Sequence, residues 1–225
     1  MSIFQSLADL VMRRKAEEPQ QLEITPEIAG RLNELGLHDG DFCYQAAARF
    51  LLEYPDSFET LRRLPADVLR DNQGFPYSAI RTYGTVAVNG IIDRYGIESA
   101  GYLNEVCSAL EESDQDTIDE VVKEFGVGRV GTIAPIYRAW MEAKEKSIAE
   151  ETKQYKITFK GTVQDVGFRG TARYRAEIFG ISCSAKNQDD GSVLCRLSGT
   201  EPIVDVFILS LRKTFKVSEV IKEQY

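Results

Sequence analysis

The chain has 225 residues, of which 43% are hydrophobic and 28% charged, and 35 acidic against 27 basic side chains give a net charge of −8. That length holds one large or two small domains, each able to bury a core. No apolar run approaches membrane-spanning length, and Met1-Ser2-Ile3-Phe4 leads into an amphipathic pattern without a secretory apolar core. Membrane insertion is therefore excluded and a cytoplasmic protein expected.

Charge divides unevenly. Residues 1–150 carry 15 basic and 26 acidic side chains, a net of −11, whereas residues 151–225 carry 12 and 9, a net of +3. An acidic first part argues against nucleic acid as a partner, and a mildly basic second part suits a small anion. The asymmetry also marks a domain boundary. Cys43, Cys107, Cys183 and Cys195 lie among apolar neighbours with no C-x-x-C pair, and His38 is the lone histidine. This pattern reads as buried thiols rather than disulfides or a zinc site, so no metal is expected.

From Ile3 to about Thr152 the segments read as helix. Thr25-Pro26-Glu27 opens one, with Ile28, Leu32 and Leu35 on its apolar face and Gly36 as its stop. Asp41 is positioned to cap the next, which carries Phe42, Ala46, Phe50 and Leu51 before Pro55. Further helices are predicted over 56–63, 65–71, 77–95, 98–111, 115–125 and 132–152. At Tyr155 the period changes to two: Tyr155, Ile157 and Phe159 alternate with Lys156, Thr158 and Lys160. A helix follows over 169–179, with Ala172, Ala176 and Phe179 on one face. Ile181, Cys183 and Ala185 make a second strand, Asp189-Asp190-Gly191 a hairpin turn, and Val193, Cys195 and Leu197 the return. Pro202 sits in the first turn of another helix to about Lys213, and a last strand covers roughly 216–222. The order is βαββαβ, the ferredoxin-like split arrangement. The expected fold class is thus α+β with two domains: an all-α N-terminal domain over 1–152 and a ferredoxin-like domain over 153–225.

One stretch joins the first strand to the helix behind it: Gly161-Thr162-Val163-Gln164-Asp165-Val166-Gly167-Phe168-Arg169. Main-chain N–H groups of such a loop converge where the helix dipole is positive, and Gly167 permits backbone geometry that other residues resist. Arg169 can fork across two phosphate oxygens while staying charged at any working pH. Eighteen residues on, Asn187 offers an acceptor and a donor on one amide and can orient a water without acting as a base. The plainer roles are a helix-start arginine facing solvent or a carboxylate, and an asparagine capping the hairpin.

Residues 155–222 resemble an acylphosphatase. Gly161, Val163, Gln164, Val166, Phe168 and Arg169 match the family's phosphate cradle, while Ala185, Lys186, Asn187, Gly191, Val193 and Gly199 match its asparagine strand and turn. The resemblance implies hydrolysis of an acyl phosphate to carboxylate and phosphate with no cofactor. Gln164, Asp165, Val166, Gly167, Phe168 and Arg169 would bind the phosphate. Arg169 and Asn187 would be catalytic, with Asn187 positioning the water. Asp165 stands where the family has glycine, and Cys183 and Ser184 replace a glycine and an aromatic residue.

Other signals carry less. Gly126-Val127-Gly128-Arg129-Val130-Gly131 matches G-x-G-x-x-G, but residues 117–125 before it read as helix, and a dinucleotide site needs a strand there. Glu111-Glu112-Ser113-Asp114-Gln115-Asp116 hints at calcium; a loop counted from Asp114 puts Asp119 and Phe125 where glycine and glutamate belong, so it reads as a turn and N-cap. Tyr137, Trp140 and Met141 share a helix face as core or interface. A fainter resemblance links Leu69-Arg70-Asp71, Arg81-Thr82-Tyr83, Gly90 and Gly101 to Leu110 to the middle of a phycobiliprotein, an all-helical globin-like fold. That resemblance implies bilin contacts, yet Val68 stands in place of the attaching cysteine and Asn72-Gln73-Gly74-Phe75-Pro76 looks like an insertion. Two readings follow. One is a hydrolase acting on a small acyl phosphate or other anion, its helical domain binding a protein partner or oligomerising. The other is a binding or assembly protein in which the same fold docks or senses an anion.

Overall fold

The computed structural model describes residues 23–70 and 75–225. The helix expected from Ile3 onward lies outside the described residues up to position 22, as do Asp71 and Asn72–Gly74 of the phycobiliprotein-like stretch. Two compact units divide the chain, Met1–Cys107 and Ser108–Tyr225. Elements are numbered below over the described residues.

In the first unit, α1 (Pro26–Glu34) starts as its sequence dictates: the Thr25 hydroxyl accepts from the Ile28 N–H at 3.4 Å and Pro26 occupies the first turn. Gly36 ends it at φ 71°, while the Leu37 N–H reaches back to Leu32 O at 2.9 Å. The expectation for the next helix needs correction. The Asp41 carboxylate accepts from the His38 N–H at 2.7 Å, so it is consumed by the preceding turn, and α2 (Tyr44–Glu53) begins with Cys43 as an unaided cap. Its buried face is Tyr44, Ala47, Ala48, Phe50 and Leu51, leaving Ala46 exposed and Phe42 89% exposed. The short helices α3 (Phe58–Arg62) and α4 (Ala66–Leu69) follow. The helix expected over 77–95 is α5 (Phe75–Tyr95), broken at Gly84, whose φ of 84° and ψ of 164° are not helical. Residues expected to open the next helix instead form a 3-10 turn, Ile97–Tyr102, ahead of α6 (Leu103–Glu112), whose residues from Ser108 on belong to the second unit. Arg70 is occupied within this unit, donating to Gly36 O and pairing with Asp41 at 3.5 Å.

In the second unit, α7 (Gln115–Phe125) has Asp114 as N-cap, its carboxylate accepting from the Thr117 N–H at 2.9 Å and pairing with Arg138. This is the N-cap role expected of the acidic run. A 3-10 turn over Val127–Arg129 leads from the G-x-G-x-x-G stretch into α8 (Val130–Ser147). The sheet elements come in the order expected: β1 (Lys153–Thr162), α9 (Phe168–Ile178), β2 (Ser182–Asn187), β3 (Val193–Gly199), α10 (Glu201–Thr214) and β4 (Lys216–Gln224). The four strands form one antiparallel sheet in the order β2-β3-β1-β4. The helical part followed by this sheet is the α+β architecture expected from the sequence.

The sheet core follows the period-two pattern. Tyr155, Ile157 and Phe159 of β1 are buried with Val193, Cys195 and Leu197 of β3. Against them lie Phe168, Ala172 and Ala176 of α9 and Ile203, Val204, Phe207 and Leu211 of α10. Phe159 stands 5.1 Å from Phe168 and 6.4 Å from Phe207, ring centre to ring centre. Helix α8 packs on the same layer: Trp140 reaches Phe179 at 6.0 Å, and the Ser147 and Thr200 hydroxyls share a hydrogen bond at 2.6 Å. Tyr137 and Trp140 are therefore core residues, and the Tyr137 hydroxyl, desolvated and bonded to Glu124, has its pKa pushed up to about 12. No helix among the described residues is long and apolar enough to cross a membrane.

Candidate active site

The end of β1 and the loop leading from it to α9 are shaped by three positive-φ residues. Gly161 has φ 123° at a register shift between β1 and β4, Asp165 has φ 59°, and Gly167 sits in left-handed geometry at φ 77° as the N-cap of α9. Asp165 is the one non-glycine residue with positive φ among the described residues. Aspartate tolerates that region better than most side chains. From the Val163 N–H, which donates to Gly161 O, to the Thr171 N–H, which donates to Gly167 O, no intervening main-chain N–H finds a main-chain acceptor among the described residues. These donors surround the positive end of α9, an arrangement suited to an anion.

A pocket of about 250 Å³ opens here. It is lined by Asp165, Gly167, Phe168, Arg169, Arg173 and Asn187, with Val163 and Gly170 completing the wall. Arg169 and Asn187, which are 18 positions apart in sequence, thus share one cavity. Phe168 is buried and anchors the loop, its ring 4.8 Å from that of Phe215. Arg169 is exposed at the mouth. The Asn187 Oδ1 atom is buried and has no hydrogen-bond partner among the described residues. A buried acceptor left without a donor is costly unless something else supplies one.

Two of the six expected phosphate-binding residues do not line the pocket. Gln164 instead turns its amide across to the hairpin and donates to Gln188 O and Ser192 O, both at 2.8 Å. Its side chain thereby ties the cradle to the strand end that carries Asn187. Val166 is exposed outside the lining. Arg173 was not anticipated: it lies one helical turn beyond Arg169 on the same face, and its guanidinium donates to Ala185 O at 3.4 Å, two residues before Asn187. Its i+4 spacing from Arg169 is the signal that points to it.

The hairpin behind Asn187 is held by Asp190, whose Oδ1 accepts from the Ser192 hydroxyl at 2.6 Å and from the Ser192 N–H at 3.0 Å. Those two bonds hold the Asp190 carboxyl below the ordinary range. A folded-state pKa below the unfolded one stabilises the protein above the unfolded value, and the benefit disappears as pH falls through the folded value. The stability advantage of wild type over Asp190→Ala is thus expected to be present at neutral pH and to fade below about pH 4. Thermal unfolding at pH 7 and pH 3 checks this; an advantage that grew on acidification would contradict it.

The acylphosphatase family model matches residues 155–225. An acylphosphatase of Ligilactobacillus salivarius is 42% identical over 52 residues, which cover 23% of this chain and 58% of the relative. One of Enterococcus faecalis is 38% identical over 53 residues, covering 24% and 58%. The chain therefore spans about 58% of the length of these relatives. The crystal structure of an acylphosphatase from Bacillus subtilis is 29% identical with a TM-score of 0.31, covering 33% of this chain and 86% of that one. Residues 155–225 are an acylphosphatase-family domain, preceded in this chain by a helical region.

Proposed function

We propose that this chain hydrolyses an acyl phosphate to a carboxylate and inorganic phosphate. The observation that carries the proposal is that Asn187, whose Oδ1 is buried without a partner among the described residues, lines the same cavity as Arg169, beside main-chain N–H groups of residues 164–169 that find no main-chain acceptor among the described residues. In this reading the loop and Arg169 hold the phosphoryl oxygens, and charge developing on them is met by fixed donors. Asn187 Oδ1 accepts a hydrogen bond from a water and aims its oxygen at phosphorus. The new P–O bond forms as the bond to the acyl oxygen breaks, the carboxylate leaves with that electron pair, and the water's proton passes to solvent. A carboxylate is a good enough leaving group to need no nucleophilic side chain. No cofactor enters this scheme. The division at 152/153, the cytoplasmic location and a protein partner or oligomer contact through residues 1–152 belong to the same proposal, with neither nucleic acid nor membrane as a partner.

One observation favours a second reading. Asp165 lines the pocket, where a carboxylate opposes an incoming phosphate. If that opposition prevails, the domain is a docking or anion-sensing module, and the helical part, globin-like or phycobiliprotein-like, attaches it to a larger complex. Benzoyl phosphate hydrolysis by wild type and Asp165→Gly separates the two. The enzyme reading expects saturable hydrolysis by wild type, with KM lowered severalfold in Asp165→Gly. A silent wild type with an active Asp165→Gly supports the second reading, and silence in both would sink hydrolysis altogether.

A further inference from the structure

A second cavity, of about 390 Å³, lies within the Ser108–Tyr225 unit, bounded in part by Glu112, Thr132, Arg175, Ser210, Lys213 and Thr214. It shares no residue with the pocket around Arg169. Arg169 and Arg175 both belong to α9, but six positions on a helix leave their side chains roughly 120° apart in azimuth, so the two cavities open on different faces.

Arg175 is only 6% exposed. Its Nη2 donates to Thr214 Oγ1 at 3.4 Å, while Nε and Nη1 are buried with no hydrogen-bond partner among the described residues. The hydroxyls beside it do not neutralise it. Thr214 Oγ1 donates to Ser210 O at 3.0 Å and Ser210 Oγ donates to Phe207 O at 2.7 Å, so both protons are directed to α10 carbonyls. Burial pulls the Arg175 pKa down, as expected of a cation removed from water without counter-charge, although a guanidinium remains protonated. Lys213, in the last turn of α10, adds a second cation, and Thr132 stands in the first turn of α8, where the helix dipole is positive. Glu112 is the one acid among the lining residues and is itself exposed.

We propose that this cavity is a second binding site, for a small molecule bearing an oxyanion, either a carboxylate or a phosphate group. The Arg175 guanidinium takes the oxyanion and Lys213 supplies the second positive charge. A desolvated guanidinium with unfilled donors gains most from a charged acceptor, and both oxyanions offer one. The inference is independent of whether the Arg169 pocket is catalytic.

The test uses the full-length chain carrying Arg169→Ala, so that the first pocket contributes little. Thermal unfolding is followed against increasing inorganic phosphate and, separately, acetate, at constant ionic strength set by sodium chloride. A saturable rise in Tm with either probe is expected, and the arm that responds identifies the head group. Adding Lys213→Met should weaken the apparent affinity by roughly threefold to fivefold, and adding Arg175→Met should remove the response. Glu112→Gln should strengthen it, because a like charge is deleted. No saturable shift with either probe would overturn the site, as would a shift that persists unchanged in Lys213→Met. Lys213 is exposed, so that variant decides the question even if Arg175→Met fails to fold.

Discussion

Replacing Arg169 with alanine is expected to lower kcat/KM for benzoyl phosphate about 10³-fold, and Asn187→Ala about 10²-fold, with the fold intact in both. The two losses should differ in kind. Arg169 lines the pocket from the first turn of α9, and in the proposed reaction it would meet both ground-state phosphate and the charge that builds in the transition state. Its loss should raise KM and lower kcat together. Asn187 Oδ1 has no hydrogen-bond partner among the described residues, so alanine there would remove the proposed orienting acceptor and should act chiefly on kcat. Arg169→Lys keeps the charge but not the planar fork and should fall between wild type and alanine. Steady-state kinetics together with circular dichroism measures all of this. If wild type hydrolyses the substrate and both alanine variants keep its rate, the chemistry lies elsewhere and the proposed site is wrong.

The site was legible in the sequence to an uneven degree, for reasons that can be traced residue by residue. The strands were readable because Tyr155, Ile157 and Phe159 alternate cleanly, and one face of an antiparallel sheet is buried. Gly167 followed by Phe168-Arg169 announced a helix start, since a left-handed residue at the cap leaves few alternatives to glycine. Asp189-Asp190-Gly191 announced the hairpin that carries Asn187. What sequence could not show was where long polar side chains turn once the backbone is fixed. Gln164 fits a phosphate cradle by type, yet its amide finds two carbonyls on the hairpin. Arg173 looks like one more basic residue on a solvated helix face until the pocket wall is drawn. Arg175 shares that anonymity, and only its burial distinguishes it. In the helical part the misread positions were local competitions. Asp41 could serve a cap or a turn and served the turn, while Gly84 could continue a helix or break it and broke it.

The largest effect on stability is expected at Gly161. A Cβ built there would lie 2.3 Å from Lys216 O and 2.8 Å from Ser218 N, both backbone atoms of β4. Neither can move aside as a flexible side chain would, because Lys160 and Gly161 flank the register shift that seats β4 against β1. The residue also has φ 123°, which an L side chain rarely adopts, so strain adds to the clash. Gly161→Ala is expected to cost about 3 to 5 kcal/mol and to lower Tm by roughly 10 °C or more. Gly30→Ala is the control: that glycine lies inside α1 with nothing within 4 Å of its Cβ position, and alanine there should stabilise by about 0.5 to 1 kcal/mol. Thermal and urea unfolding of both variants gives the comparison, and a Gly161→Ala protein as stable as wild type would refute the clash argument. The same substitution also bears on function. Gly161 O accepts from the Val163 N–H at 3.1 Å, so the bulge is the platform from which the cradle leaves the sheet. Where Gly161→Ala remains folded at low temperature, hydrolysis should still fall on the proposed mechanism, which needs Arg169 and Asn187 on one cavity and therefore a platform that keeps the loop beside the end of β2.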